Sequence, residues 1–471
     1  MIKRSFRNHI LFSFRVGLVL AAASLSLLAQ GKNPVILIPG LAGSELRHGS
    51  LKEKLWFRTF KSKSEDLRLP IVADPTTSHD ALIATDALRT VKIGVLPVFD
   101  VYGGFIKAMA TRGGYHEEQW ETASDGGFQD SLYVFAYDWR LDNVENARLL
   151  IRKVEALKLR LKKPDLKFDI IAHSMGGLIS RYAAMYGDVD LPPDGQKPQP
   201  TWIGAEHFSK IILLGTPNEG SVDSLNALVN GYSLGSIRID LPFVQDSSKF
   251  MVFTIPAAYQ LLPAPGTLRA FNDKLEPVSI DIYDPKVWSK YGWSVIDDKN
   301  FGAKFSAAER AIAPVYFEAG LSRGKRLHEA LAAAAGKTGG VSFYVLGSDC
   351  ESASDSILVY QNGKASKWKT LFRPTGFTRS DGSRMTGDEL RKIMLAPGDG
   401  IVTRRSLEAS TESETAGVPS IMGMTANKLI CEEHTKLATN GLIQDQIISI
   451  FSGKAITADN TRRSNNYGKG R

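Results

Sequence analysis

The chain has 471 residues, of which 43% are hydrophobic and 23% charged. That balance excludes a disordered or fibrous chain and supplies a large core, in one big domain with an insertion or in two domains. The net charge of +8 sits at the ends: Lys3, Arg4, Arg7 and Arg15 have no acidic partner nearby, and Lys454, Arg462, Arg463, Lys469 and Arg471 are offset by Asp459 alone. The body is close to neutral, which argues against nucleic acid as a partner, because that would need a basic face on the folded domain.

The basic start is followed by an uncharged apolar run, Val16 to Ala29. A run this short suits a signal-peptide core, whereas a membrane span needs about 20 residues. Residues 1–29 are therefore expected to be an export signal, cleaved after Ala29 or Ala23, which places the protein in a periplasmic or extracellular space. An uncleaved N-terminal membrane anchor is the alternative. Export also makes a disulfide between the two cysteines, Cys350 and Cys431, the expected state.

Val35 to Ile38 is a short all-apolar run, as in a strand buried on both faces. A second such strand is expected at Leu132 to Phe135, and an amphipathic helix from Asn143 to Lys162, stopped before Pro164. The stretch FDIIAHSMGGLISRYA, residues 168–183, reads as strand, sharp break and helix; Ile211 to Leu214 reads as a further buried strand. This alternation implies an α/β fold with a mostly parallel sheet covered on both faces. It stops after Ser221. Residues 30–221 are expected to form the first part of a core, 222–340 an inserted cap with a helical stretch from Ala307 to Ala335, and 341–451 the second part of the core. That second part holds a strand at 341–347, a hairpin at Asn362-Gly363, a last strand within NKLICEEH and a closing helix from Leu442 to Phe451. The tail, 452–471, is polar and basic and is expected to be disordered.

The break in the 168–183 stretch carries Ser174 in the pattern A-x-S-x-G, one residue from the G-x-S-x-G nucleophile elbow. A nucleophilic serine needs a tight turn that holds its hydroxyl clear of the backbone. Ala172, Gly176 and Gly177 leave room for one. The helix that starts there directs free N–H groups at the site, which favours negative charge.

The serine needs a base, and the base an orienting acid, in the chain order Ser, acid, His. Only His207, His328 and His434 follow Ser174. His207 precedes a strand and His328 falls in the cap, which leaves His434, in the loop after the last strand. His173 adjoins the serine, but neighbouring side chains diverge at such a turn, so it reads as a packing or orienting residue. Two acids fit: Asp399, in the tight loop GDGIV, and Asp349, after the strand at 341–347. The oxyanion hole needs two backbone donors: Met175 directly after the serine, and Leu41 in the loop PGLAGS, with Ala42 second to it. No P-loop, zinc helix or dinucleotide fingerprint is complete.

The segments PVILIPGLAGSEL, FAYDWR, IIAHSMGGLISRYA, LLGTPNEGS, IPAAYQLLP, DIYDPKVWSKYGW, PGDGIVTRRS and EEHTKL occur in this order. Together they resemble the lecithin:cholesterol acyltransferase-like family of α/β-hydrolases, from about Pro34 to Phe451. The resemblance implies an α/β-hydrolase fold with a cap, acyl hydrolase or acyltransferase chemistry on lipid esters, a Ser-Asp-His triad and neither metal nor cofactor. It points to Asp399 as the acid, through the family's GDGTV-type motif, and again to Ser174, His434 and Leu41. Three positions depart from the usual pattern: Ala172 for glycine, Ile401 for threonine and Thr403 for proline.

The expected partner is a lipid ester, a phospholipid acyl donor among them, met at a membrane or micelle surface. Cap residues Phe250 to Phe253 and Tyr259 to Leu262 either contact an acyl chain or a lipid surface, or pack the cap onto the core. A carboxylesterase on small soluble esters and a catalytically silent lipid-binding protein are the competing readings.

Overall fold

The computed structural model describes residues 32–49, 54–57, 67–92, 98–122, 129–232, 248–333, 338–362, 367–409 and 424–453. The expected export signal, and all but two residues of the expected tail, lie outside the described residues.

Seven strands build the central sheet: β1 (Val35–Ile38), β2 (His116–Glu118), β3 (Ser131–Val134), β4 (Phe168–His173), β5 (Phe208–Leu214), β6 (Ser342–Gly347) and β7 (Met424–Leu429). They lie in the order β7-β6-β5-β4-β1-β3-β2, and every neighbouring pair is parallel. Parallel strands need crossover connections, and the helices that supply them cover both faces. Alternation along β1 makes this visible. Ile36 and Ile38 point into one layer with Ile170, Ile211 and Leu213, under helices α2 (Asn143–Arg160) and α3 (Met175–Tyr186). Val35 and Leu37 point into the other with Ile171, Ile212 and Leu214, under α1 (Gly103–Thr111) and α6 (Gly441–Phe451). All six residues of β4 are buried. Truncating one of its isoleucines to alanine removes contacts on a fully covered face, at a cost of about 2–5 kcal/mol.

Local signals explain the helix ends. Asp142 caps α2 by accepting from the Val144 and Glu145 N–H groups. Ser306 and Glu309 form a capping box at the start of α5 (Ala307–Ala332). The helix α4 (Val222–Asn230) opens the cap segment, with Ser221 as its cap. The YDWR motif supports the core: the buried Arg140 lies between Asp80 (2.6 Å) and Asp138 (2.7 Å), and Trp139 packs on Trp56.

The cap and the second half of the core share a sheet. Arg269–Phe271 pairs parallel with Ser356–Asn362, which pairs antiparallel with Lys367–Leu371. The boundary expected at residue 340 is crossed by this pairing, which no local pattern announces. The hairpin expected at Asn362-Gly363 has its two strands there, although Gly363 lies outside the described residues. Cys350 and Cys431 are disulfide-bonded, with Cα atoms 5.3 Å apart. They follow β6 and β7, which are neighbours in the sheet. Among the described residues no helix is long and apolar enough to cross a membrane.

Candidate active site

The carboxyl ends of β1, β4, β5 and β7 meet at one edge of the sheet, where α/β folds hold their ligands. Strand β4 runs straight into Ser174, whose φ of 53° and ψ of −125° bring α3 off at a sharp angle. A serine pays on the order of 1–3 kcal/mol for such a conformation, and the surroundings enforce it. Its N–H donates to the Leu214 carbonyl at 2.8 Å. A Cβ on Gly177 would lie 2.0 Å from Thr216 Oγ1, so only glycine lets the helix start this close to β5.

Ser174 Oγ is 3.0 Å from His434 Nε2, and His434 Nδ1 is 2.7 Å from Asp399 Oδ2. His434 and Asp399 are buried, while Ser174 is partly open to a cavity of about 540 Å³. The other oxygen of Asp399 accepts from the Ile401 and Val402 N–H groups at 3.1 and 2.8 Å. That tight glycine-flanked loop leaves only one carboxylate oxygen for the histidine. A carboxylate accepts only, so the ring proton sits on Nδ1 and Nε2 is free to take the Ser174 proton.

Asp349, the other acid the residues allow, is displaced from this centre: it is half-buried and pairs with Arg404 at 3.2 Å. The residue pattern by itself leaves the two open, and the family motif selects Asp399. The structure brings that residue, and not Asp349, to the histidine. His207 lies against Lys158 at 3.2 Å and His328 is buried on the cap helix α5, so neither reaches Ser174.

Leu41 lines the cavity with Ser174. Its loop is held by three side chains: Tyr102 Oη accepts the Gly40 N–H (2.9 Å), Tyr137 Oη donates to the Pro39 carbonyl (2.7 Å), and Trp56 Nε1 donates to the Ala42 carbonyl (2.7 Å). With the Gly40 N–H engaged, Leu41 and Ala42 supply the loop's remaining donors. Met175, the first residue of α3, supplies the other expected donor from the helix start.

Two residues of this centre are missed from sequence. Tyr102 precedes α1, is distant in the chain from Gly40 and His173, which its hydroxyl meets, and carries no motif. Gly215 sits behind the histidine with φ +60°; a Cβ there would be 2.6 Å from Leu437 and 3.3 Å from His434. Its signal was available, since it is a glycine directly after a buried strand.

His173 is buried. Burial, with His434 beside it, pushes its pKa down to about 3, so the ring is neutral. The cavity lining also carries polar groups: Asp223 and Arg373, which pair at 3.0 Å, with Glu351 and Ser352. Burial raises the pKa of Asp223 despite that pairing. The aromatics of the cap stretches 250–253 and 259–262 are turned away, whereas Tyr232, also in the cap segment, lines the cavity. Phe250, Phe253 and Tyr259 pack with Phe305, Tyr316 and Phe317 inside the cap, and of the two cap stretches only Leu261 lines the cavity. Packing, the second of the two expectations for these residues, is what the structure has. Among the described residues no cluster of His, Cys, Asp and Glu is arranged to hold a metal ion.

Residues 114–299 match the family model described as lecithin:cholesterol acyltransferase. The resemblance read from the sequence motifs is thus borne out over a stretch that includes Ser174 and part of the cap. No curated protein sequence matches the chain. Among solved structures, a Tle4–Tli4 complex superposes with a TM-score of 0.52 at 14% identity, over 89% of this chain and 98% of that one. The mature Bacillus licheniformis lipase BlEst2 gives a TM-score of 0.34 at 12% identity, over 90% and 93%. EstA from Clostridium botulinum gives 0.33 at 14%, over 90% and 87%. The protein has an α/β-hydrolase fold.

Proposed function

We propose that the protein is an exported serine acyl hydrolase or O-acyltransferase that acts on lipid esters through an acyl-enzyme. The observation that carries the reading is the 3.0 Å approach of Ser174 Oγ to His434 Nε2, with Asp399 on the far side of the ring. In this reading His434 takes the Ser174 proton as Oγ bonds to the ester carbonyl carbon. The negative charge that develops on the carbonyl oxygen is held by the Leu41 and Met175 N–H groups. His434 returns the proton to the departing alcohol. Water or a second alcohol then attacks the acyl-enzyme, with His434 as base, and Ser174 is freed. No step calls for a metal or cofactor.

The family match supports lipid esters as the substrate class. A membrane or micelle surface as the place of action, and export by residues 1–29, belong to the same proposal. A second reading, a carboxylesterase on shorter soluble esters, is favoured by the polar lining residues Asp223, Arg373 and Glu351 and by the packing of Phe250, Phe253 and Tyr259 inside the cap.

The deciding experiment measures acyl release from phosphatidylcholine vesicles, with and without a sterol, for wild type and Ser174→Ala. Fatty acid freed by wild type alone supports hydrolysis, and a new sterol ester supports transfer. Turnover of soluble butyrate esters without turnover of vesicles selects the second reading. Absence of any turnover, together with no fluorophosphonate labelling of Ser174, removes the enzyme reading.

A further inference from the structure

The hydrogen bonds around Ser174 continue behind it. Gly40 N–H donates to Tyr102 Oη at 2.9 Å, Tyr102 Oη lies 2.7 Å from His173 Nδ1, and His173 Nε2 lies 3.2 Å from the His434 carbonyl. Tyr102, His173 and His434 are all buried.

The protons along this chain have one consistent assignment. The His434 carbonyl can only accept, so His173 Nε2 carries a proton. Nδ1 of the neutral ring then accepts, and the one proton of Tyr102 is directed to it. A lone pair on the same oxygen takes the Gly40 N–H. Each donor meets an acceptor, and both ends of His173 demand the same tautomer.

We propose that Tyr102 and His173 are positioning residues that tie the oxyanion loop to the loop bearing the catalytic histidine. The inference rests on the reading of Ser174 as the nucleophile. Neither side chain faces the cavity, and neither needs to touch substrate. Their effect is to fix the distance between the Leu41 N–H and the Ser174–His434 pair. There is little slack to absorb an error: a Cβ on Gly40 would lie 2.8 Å from the Ser174 Cβ. The His434 N–H is bonded in turn to the Asp399 carbonyl at 2.8 Å, so the chain joins oxyanion loop, base and acid through the backbone. A preorganised donor stabilises the transition state only where it is held at the oxygen's eventual position, so loosening this chain should weaken the transition state more than the bound ground state.

Tyr102→Phe removes one oxygen, leaving the Gly40 N–H without its acceptor and His173 Nδ1 without its donor. With a soluble butyrate ester, kcat is expected to fall about 10–100-fold while KM stays within about twofold. Affinity for a boronic acid that forms the tetrahedral adduct should fall by a similar factor. His173→Asn keeps an acceptor near Tyr102 and should recover part of the loss seen in His173→Ala, with an unchanged melting temperature between the two. In ¹⁵N-histidine spectra of wild type, His173 should carry its proton on Nε2. A Tyr102→Phe variant with wild-type kcat, a KM that rises in step with the loss, or a proton on Nδ1 overturns the inference alone. Wild type no faster than Ser174→Ala overturns the reading of Ser174 and the inference with it.

Discussion

Asp399 holds His434 at two points: its Oδ2 meets the ring Nδ1 at 2.7 Å, and its carbonyl accepts the His434 backbone N–H at 2.8 Å. The substitution Asp399→Asn keeps the second contact and reverses the first. An amide N–H aimed at Nδ1 makes that nitrogen an acceptor and moves the ring proton to Nε2, where it blocks uptake of the Ser174 proton. We expect kcat to fall on the order of 10⁴-fold, with KM little changed and the fold intact. Steady-state kinetics on a soluble ester check this, and a loss below tenfold would refute the role given to Asp399.

Acid should weaken the fold through histidines buried in the neutral form. Burial lowers His173 to about 3 and His328 to about 4, against an ordinary value near 6.5 in the unfolded chain. Between these values the unfolded state binds more protons than the native state. Stability therefore rises with pH and is lost as pH falls below about 6.5, by up to about 1.4 kcal/mol per pH unit for each histidine. Urea midpoints at pH 7.5, 6 and 5 should decline, and His328→Gln should flatten the decline. An identical slope in wild type and variant would contradict this account.

The parts legible in the sequence are those where a local pattern and a physical requirement coincide. The strand cores at 35–38 and 211–214 are all-apolar because both faces are covered. Ser174 and His434 stand out because a nucleophile elbow and the only histidine after the last strand leave few alternatives. Asp399 and Asp349 are equivalent candidates by residue type and order, and the family's GDGTV-type motif is what separates them in sequence; the fold sends the first to the histidine and the second to Arg404. Tyr102 is invisible in sequence: its partners Gly40 and His173 are brought to it by the parallel sheet, so no spacing encodes the contact. The pairing of 269–271 with 356–362 is hidden in the same way.

The disulfide should matter to the site as well as to the fold. Cys431 lies just before His434 and is tied across the sheet edge to Cys350, a separation of 81 residues. Closing a loop of that length removes unfolded-state entropy equivalent to about 4–5 kcal/mol in the chain-entropy account. The same bond fixes the entry to the histidine loop, where Ser348 Oγ also accepts the Glu432 N–H at 3.1 Å. Cys350→Ser with Cys431→Ser should lower the melting temperature by several degrees and reduce kcat. A double variant that melts lower with unaltered kcat would show that the histidine loop holds its place without the bond.

The cap is joined to the core by a buried charge cluster at the start of α2. Asp142 accepts from Val144 and Glu145 as the helix cap, and also from Arg323 Nε at 2.6 Å and Gln260 Nε2 at 2.6 Å, both supplied by the cap segment. Removing the carboxylate takes away the cap of α2 and leaves a buried guanidinium with only the half-exposed Asp190, at 2.7 Å, as its partner. Breaking one side of such a pair costs about 3–5 kcal/mol, far more than the pair contributes relative to an apolar substitute. Asp142→Ala should therefore destabilise strongly, whereas Asp142→Ala combined with Arg323→Leu should recover much of the loss. Denaturant unfolding of the two single variants and the double variant gives the coupling directly. Additive losses in the double variant would mean that the cap is held by its apolar packing alone.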